Sequence, residues 1–266
     1  MTTAQDYTSA NPAAAAAPVA LVTGAGRRIG RAIALGMARA GWDVAVHYRQ
    51  SEAEARQVVA QIAAMGRRAA ALQCDLADEA AVRQLLPRAV AALGPVRCVV
   101  NNASLFEYDS GADFTTARLD QHMHANLAAP ILLMQALHAA TPAGAQAVAI
   151  NLLDQKLYNL NPDFLSYTLS KAALQTATTM LAQQLAPAVR VVGVAPGITM
   201  VSGDQSQAGF DQAHRQTPLG RSSTPEDIVA AVLYAAGARA VTGTTLLVDG
   251  GQHLMPLARD VMFLAK

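Results

Sequence analysis

Short, wholly apolar runs alternate with stretches of helical spacing along most of the chain. The runs at 18–23, 43–48, 69–73, 96–100, 146–152, 189–194 and 244–248 read as strands. Between them, 28–40, 52–65, 79–93, 119–140, 165–185 and 225–236 read as helices. Strands without a polar face need cover on both sides. Their alternation with helices predicts a parallel sheet sandwiched between helices. The expectation is therefore an α/β chain: a Rossmann-type, doubly wound parallel sheet of about seven strands, in a single domain from 18 to 266. Residues 1–17 carry an alanine run but no Lys or Arg before Arg27, so they read as a flexible N-terminal extension rather than a secretory leader. The stretch 199–224 breaks the alternation; it is long, polar and marked by Gly203, Gly209 and Gly220, as expected of a lid over a binding site. A tail, 250–266, holds Met255, Met262 and Phe263. It closes over a neighbouring subunit, closes over its own active site, or is simply ordered.

Composition narrows the classes. Hydrophobic residues at 52% against 15% charged supply a large core and exclude a disordered chain. A net charge of +1 leaves no general footprint for nucleic acid or an anionic membrane. No stretch reaches about 18 uninterrupted apolar residues, so no membrane span is expected. Cys74 and Cys98 form no CxxC pair and read as buried, reduced thiols, which fits a cytoplasmic protein. His122 and His124 stand two apart and cannot share a helix face, and no carboxylate cluster accompanies them. No metal site is expected.

The chemistry begins at the first strand–helix turn, Thr23-Gly24-Ala25-Gly26-Arg27-Arg28-Ile29-Gly30. A backbone that approaches a pyrophosphate needs small residues there, and the helix N–H groups then face the anion. The second strand ends His47-Tyr48-Arg49-Gln50-Ser51, without the carboxylate an NAD site places on the ribose hydroxyls. Arg49 and Ser51, helped by Arg27 or Arg28, suit a 2′-phosphate, which favours NADPH/NADP+ over NAD. On the other reading Arg49 is a solvated loop charge. Asp75-Leu76 is placed for the adenine edge, and Asn101-Asn102-Ala103 lies where strand ends converge on a cofactor. Tyr167 and Lys171, four apart at a helix start, share one face. An ammonium beside a phenol lowers its pKa from about 10 and equips it for proton transfer.

With this glycine turn, Asn101-Asn102-Ala103, Asn126, the Tyr167/Lys171 pair and Pro196-Gly197, the chain resembles the short-chain dehydrogenase/reductase family from about Val19 to Gly251. The resemblance implies an NADP(H) oxidoreductase in which Tyr167 donates the proton. Lys171 tunes the tyrosine and binds the nicotinamide ribose, Asn126 anchors a relay water, and the subunits form a homotetramer. Three departures are similar to the pteridine reductase and dihydromonapterin reductase branch. Arg28 stands for the usual glycine, Asp154 for the usual serine, and Ser104 follows Ala103. That likeness implies that Phe106 stacks a pterin against the nicotinamide, that Ser104 hydrogen-bonds it, and that Arg28 contacts both pyrophosphate and pterin. Gln50 departs from the branch, which carries Arg there; Arg49 could replace it.

Asp154 has a meaning of its own. A carboxylate about 4 Å from a developing alkoxide repels it by roughly 4 kcal/mol at an effective dielectric near 20, about a thousandfold in rate. Reducing C=N instead needs a proton on nitrogen, which an acid beside Tyr167 supports. The alternative is an Asp154 turned away and capped by backbone. Lys156 and Tyr158 either line the pocket or pack. The readings that follow are a reductase of a dihydropterin or dihydrofolate, a reductase of a ketone, quinone or acyl thioester, and an NADP(H)-binding sensor without turnover.

Overall fold

The computed structural model describes residues 17–201, 205–260 and 263. The expected N-terminal extension, apart from Ala17, lies outside the described residues, as do three positions of the 199–224 segment and most of the last six. The chain runs β1 (Val19–Val22), α1 (Arg28–Arg39), β2 (Asp43–Tyr48), α2 (Glu52–Ala64), β3 (Ala69–Gln73), α3 (Glu79–Leu93) and β4 (Val96–Asn101). It continues through α4 (Thr116–Met123), a π-helical turn (His124–Ala128), α5 (Ala129–Ala140), β5 (Ala147–Leu152) and a 3₁₀ turn (Gln155–Tyr158). Then follow α6 (Leu165–Gln184), β6 (Val189–Pro196), α7 (Gln207–Arg215), α8 (Pro225–Gly237), β7 (Thr245–Val248) and a last 3₁₀ turn (Gln252–Leu254).

The seven strands form one parallel sheet in the order β3-β2-β1-β4-β5-β6-β7. β1, β2 and β5 are buried at every position, which explains why their sequences lack a polar face. Two apolar layers result. Ile33, Met37, Val58 and Val232 pack on one face of the sheet, and Leu85, Leu86, Leu133 and Leu137 on the other. The strand order reverses between β1 and β4, and an open α/β sheet binds ligands at the carboxyl ends of its strands at such a point.

The expected long helix from 119 begins earlier, at Thr116, where Thr115 caps it by accepting from Arg118 N (3.2 Å). It is also interrupted by the π turn, which periodicity alone does not reveal. The 199–224 segment is not irregular throughout: α7 lies inside it, capped by Ser206. Among the described residues no helix is long and apolar enough to cross a membrane, and no group of three or more His, Cys, Asp or Glu is arranged to hold a metal. Cys74 and Cys98 are buried free thiols, and burial pushes their pKa values up to about 11 and about 12.

The first turn is tight. Gly24 has φ +63°, and a Cβ at Gly30 would stand 2.2 Å from the Gly24 carbonyl oxygen and 2.5 Å from Asn102 Nδ2. Backbone cannot give way as a flexible side chain does. Gly30→Ala is therefore expected to lower stability by about 1–3 kcal/mol, read as a fall in the thermal unfolding midpoint. An unchanged midpoint would contradict the close approach.

Candidate active site

Two adjoining cavities open at the carboxyl edge of the sheet. The larger, about 950 Å³, runs over the first turn and the ends of β2, β3 and β4. Of the residues expected to hold the cofactor, Gly24, Arg27, Arg28, Ile29 and Gly30 line it from the turn. His47, Tyr48, Arg49 and Ser51 line it from the end of β2, together with Gln50. Asp75, Leu76, Asn102 and Ala103 complete it. Gly26 is not among the lining residues. Its α-carbon faces α2, where a Cβ would stand 3.0 Å from Ser51 Oγ, so its smallness serves packing.

Polar side chains lock this turn. Thr23 Oγ1 accepts from the backbone N–H groups of Asn102 (3.0 Å) and Ala103 (2.9 Å), and Asn102 Nδ2 donates to Thr23 O (2.9 Å). His47 Nδ1 accepts from Gly24 N (3.0 Å), while Nε2 meets the Cys74 carbonyl (3.1 Å). Burial pushes its pKa down to about 4, so the ring is neutral and supports the turn. Asp75 Oδ1 accepts from Ala77 N (3.0 Å), shaping its own loop. Arg27, exposed on the cavity wall, reaches half-buried Glu54 Oε1 through Nε (2.9 Å). Arg28 adopts a left-handed backbone, φ +53°, where the usual glycine is free of strain and arginine is not. It borders both cavities. The narrow, glycine-walled turn, rich in backbone N–H groups and edged by Arg27, Arg28 and Arg49, fits a dinucleotide phosphate chain.

The smaller cavity, about 240 Å³, lies beyond β5 and β6 and contains the chemistry. It is lined by Tyr167, Lys171, Asp154, Phe106 and Ser104, and by Pro196 and Gly197 at the end of β6. Tyr167 Oη donates to Asp154 Oδ2 at 2.8 Å, while Asp154 Oδ1 accepts from Lys156 N at 2.8 Å. Asp154 therefore faces the phenol and caps the 3₁₀ turn at once. Burial holds its pKa above the ordinary aspartate value. The expected lowering of the Tyr167 pKa by Lys171 is corrected here. Burial, then the neighbouring Asp154 charge, pushes that pKa well above 10. The Lys171 ammonium donates to Leu152 O (2.7 Å) and stands 5.8 Å from the centre of the tyrosine ring. Burial depresses its own pKa to about 8.

Asn126 does not line either cavity. Its amide accepts from Leu105 N (2.8 Å) and donates to Leu105 O (2.9 Å) and Ser170 Oγ (3.0 Å), which ties the 104–105 loop to α6. In this geometry its side chain is a positioning group. Ser104 Oγ is shared between Leu105 O (3.1 Å) and Asn126 Oδ1 (3.3 Å). Phe106 stacks on Phe164, ring centres 4.3 Å apart, and meets Tyr167 edge-on at 4.7 Å. Lys156 lines the smaller cavity and is buried in a cation–π contact with Phe164, whereas Tyr158 lines neither cavity; its side chain is exposed and accepts from Gln175 Nε2 (2.7 Å).

Several supports escaped the sequence reading. Asn101 Nδ2 donates to Asn151 Oδ1 (2.8 Å), and Asn151 Nδ2 to Thr178 Oγ1 (2.9 Å), a buried chain linking β4, β5 and α6. Buried Asp109 accepts from Ser166 N (2.9 Å) and Ser166 Oγ at the start of α6. Phe164, with φ +55°, turns the chain into that helix. The C-terminal tail covers its own cavity: Arg259 pairs with Asp163 (2.8 Å), Lys156 with Asp260 (3.2 Å), and Gln252 and Asp260 line the wall.

Comparison with known proteins agrees with this architecture. The family described as enoyl-(acyl carrier protein) reductase matches residues 24–253. The structure is similar to that of FolM alternative dihydrofolate reductase 1 from Brucella suis in complex with NADP, at 39% identity and TM-score 0.87, covering 92% of this chain and 98% of that one. It is also similar to a short-chain dehydrogenase from Burkholderia cenocepacia in complex with NADP, at 34% identity and TM-score 0.82, covering 88% and 97%. The 3-oxoacyl-[acyl-carrier-protein] reductase FabG of Staphylococcus epidermidis is 32% identical over 88% of this chain and 98% of its own.

The buried lysine gives a signed pH dependence. In the unfolded chain Lys171 holds its proton up to about 10.5, in the folded protein up to about 8. Between these values the unfolded state binds more protons, so stability rises with pH. Relative to Lys171→Met, the protein without added nucleotide is expected to gain about 3 kcal/mol across that window in denaturant titrations. Parallel profiles for the two proteins would contradict a buried ammonium.

Proposed function

The chain belongs to the short-chain dehydrogenase/reductase family and is an NADP(H)-dependent oxidoreductase, and within that class we propose that it reduces a C=N bond of a pteridine such as a dihydropterin or dihydrofolate. The observation that carries this reading is the Asp154 carboxyl hydrogen-bonded to the Tyr167 hydroxyl. A serine there would donate to a carbonyl becoming an alkoxide; an aspartate with raised proton affinity favours a nitrogen that gains a proton. The likeness to the FolM alternative dihydrofolate reductases supports the same substrate class.

Bound NADPH supplies the hydride. The glycine turn, Arg27, Arg28, Arg49 and Ser51 bind the dinucleotide and its 2′-phosphate, and Asp75 with Leu76 flanks the adenine. Tyr167 holds a proton at Oη and delivers it to the substrate nitrogen, and a protonated Asp154, itself recharged from solvent, returns a proton to the phenolate that is left. Lys171 keeps positive charge beside the phenol as it loses its proton. Phe106 and Arg28 bound the slot that admits a flat ring, and Ser104 offers a hydroxyl to it. Asn126 keeps the 104–105 loop in place. The 199–224 segment acts as lid through Thr199, Met200 and Gln205, and the tail from 250 closes the far wall. The enzyme works as a cytoplasmic homotetramer; Leu169 and Met180, exposed on α6, offer apolar surface for a neighbouring copy.

A second reading, a reductase of a ketone, quinone or acyl thioester, draws on the likeness to the 3-oxoacyl-[acyl-carrier-protein] reductase. NADPH consumption with dihydrobiopterin, dihydrofolate, a quinone and a ketoacyl thioester separates the two. Turnover of the dihydropterins is expected, falling about 10²–10⁴-fold in Tyr167→Phe. Asp154→Ser should abolish most pterin turnover; undiminished pterin turnover with improved ketone reduction would instead favour the second reading. NADPH binding without oxidation across the whole panel would favour a sensor.

A further inference from the structure

Among the described residues, four buried side-chain polar atoms have no hydrogen-bond partner: Asn101 Oδ1, Gln155 Oε1, Gln205 Nε2 and Thr217 Oγ1. Two of them, on Gln155 and Gln205, belong to residues that line the cavity of Tyr167 and Asp154; Asn101 and Thr217 line neither cavity. The pair comes from distant parts of the chain. Gln155 opens the 3₁₀ turn directly after Asp154, and Gln205 precedes the Ser206 cap of α7. A buried polar atom left unmade costs about 1–3 kcal/mol. Two such atoms, one an acceptor and one a donor, on residues that line one small cavity are explained if a ligand completes them.

The same wall carries a carboxylate from the tail. Asp260 is oriented by Lys156 Nζ (3.2 Å), and its backbone N–H donates to Asp163 Oδ2 (2.7 Å). We propose that Gln155, Gln205 and Asp260 form the wall that reads the substrate. The Gln155 oxygen and the Asp260 carboxylate accept N–H groups, and the Gln205 amide donates to a carbonyl oxygen or ring nitrogen of the same flat heterocycle. The proposal rests on the pteridine reading and deepens it. A quinone or the keto group of an acyl thioester presents acceptors alone. Either could satisfy Gln205 but would leave Gln155 and Asp260 facing lone pairs, so the wall selects against them.

The test compares Gln155→Leu and Gln205→Leu with the unaltered enzyme. Its readouts are thermal unfolding without nucleotide, the Kd for NADPH, and kinetics on dihydrobiopterin at saturating NADPH. Removing an unpaired buried atom should leave the unfolding midpoint equal or higher. KM for the dihydropterin should rise about tenfold in each variant, with kcat within about twofold and NADPH affinity unchanged. Where leucine disturbs the fold, Gln→Met keeps the length of the side chain and is read by the same criteria. An unchanged KM in an enzyme that turns over dihydropterin overturns the inference and leaves the pteridine reading standing. A lowered midpoint together with weakened NADPH binding, in the Met variants as well, assigns the glutamines a structural role and also overturns it. An unaltered enzyme that consumes NADPH only with the quinone or the thioester removes the pteridine reading, and this inference with it.

Discussion

A phenol donating to a carboxylate at 2.8 Å on the wall of a small cavity governs the chemistry available to this fold. Burial alone would hold the Tyr167 proton in place, and the negative charge of Asp154 holds it more firmly. The phenol is therefore protonated at neutral pH, the state from which a proton can be donated. The Lys171 ammonium stands 5.8 Å from the centre of the tyrosine ring, anchored on the Leu152 carbonyl, with its own proton weakened by burial. The three groups come from two adjacent elements. Asp154 follows β5, and Tyr167 and Lys171 ride one face of α6. The buried Asn101–Asn151–Thr178 chain fixes α6 against β4 and β5, and Asp109 secures the start of the helix.

Strain is concentrated beside this pair. Among the described residues, Arg28 and Phe164 are the two non-glycine residues in the left-handed region. One lies at the junction of the two cavities; the other precedes the helix of Tyr167 and stacks on Phe106. Left-handed backbone costs such residues about 1–2 kcal/mol, and it persists where surrounding structure over-determines it. At Arg28 the return is a guanidinium bordering both cavities, which a glycine could not provide. At Phe164 the return is an aromatic wall shared with Phe106, Tyr108 and Phe263.

Much of the architecture was legible because burial on both faces leaves a strand no polar position. β2, β3 and α3 fall at the predicted residues, the helix expected from 119 begins earlier at Thr116, and the other boundaries move by a residue or two. The glycine turn was legible for a steric reason, since a side chain at Gly30 would collide with backbone. Less accessible were features that depend on distant partners. Nothing in the 119–140 spacing marks the π turn that sets Asn126 against Leu105 and Ser170. Nothing near Asp154 says that Gln205, about fifty residues on, or Asp260, over a hundred residues on, shares its cavity. The proton affinity of Tyr167 was misjudged because its spacing to Lys171 is local, whereas its hydrogen bond to Asp154 spans thirteen residues and needs the folded sheet.

The ionisation of one phenol tests this account most directly. Tyrosine labelled with ¹³C at the ring carbon bearing the hydroxyl, assigned by comparison with Tyr167→Phe, can be followed by NMR through a pH titration of the protein without added nucleotide. The account predicts that the Tyr167 resonance stays that of the protonated phenol to well above pH 10. In Asp154→Asn, where the neighbouring charge is gone, its transition should move to lower pH. A Tyr167 that ionises near neutrality, or one indifferent to the charge at position 154, would contradict it.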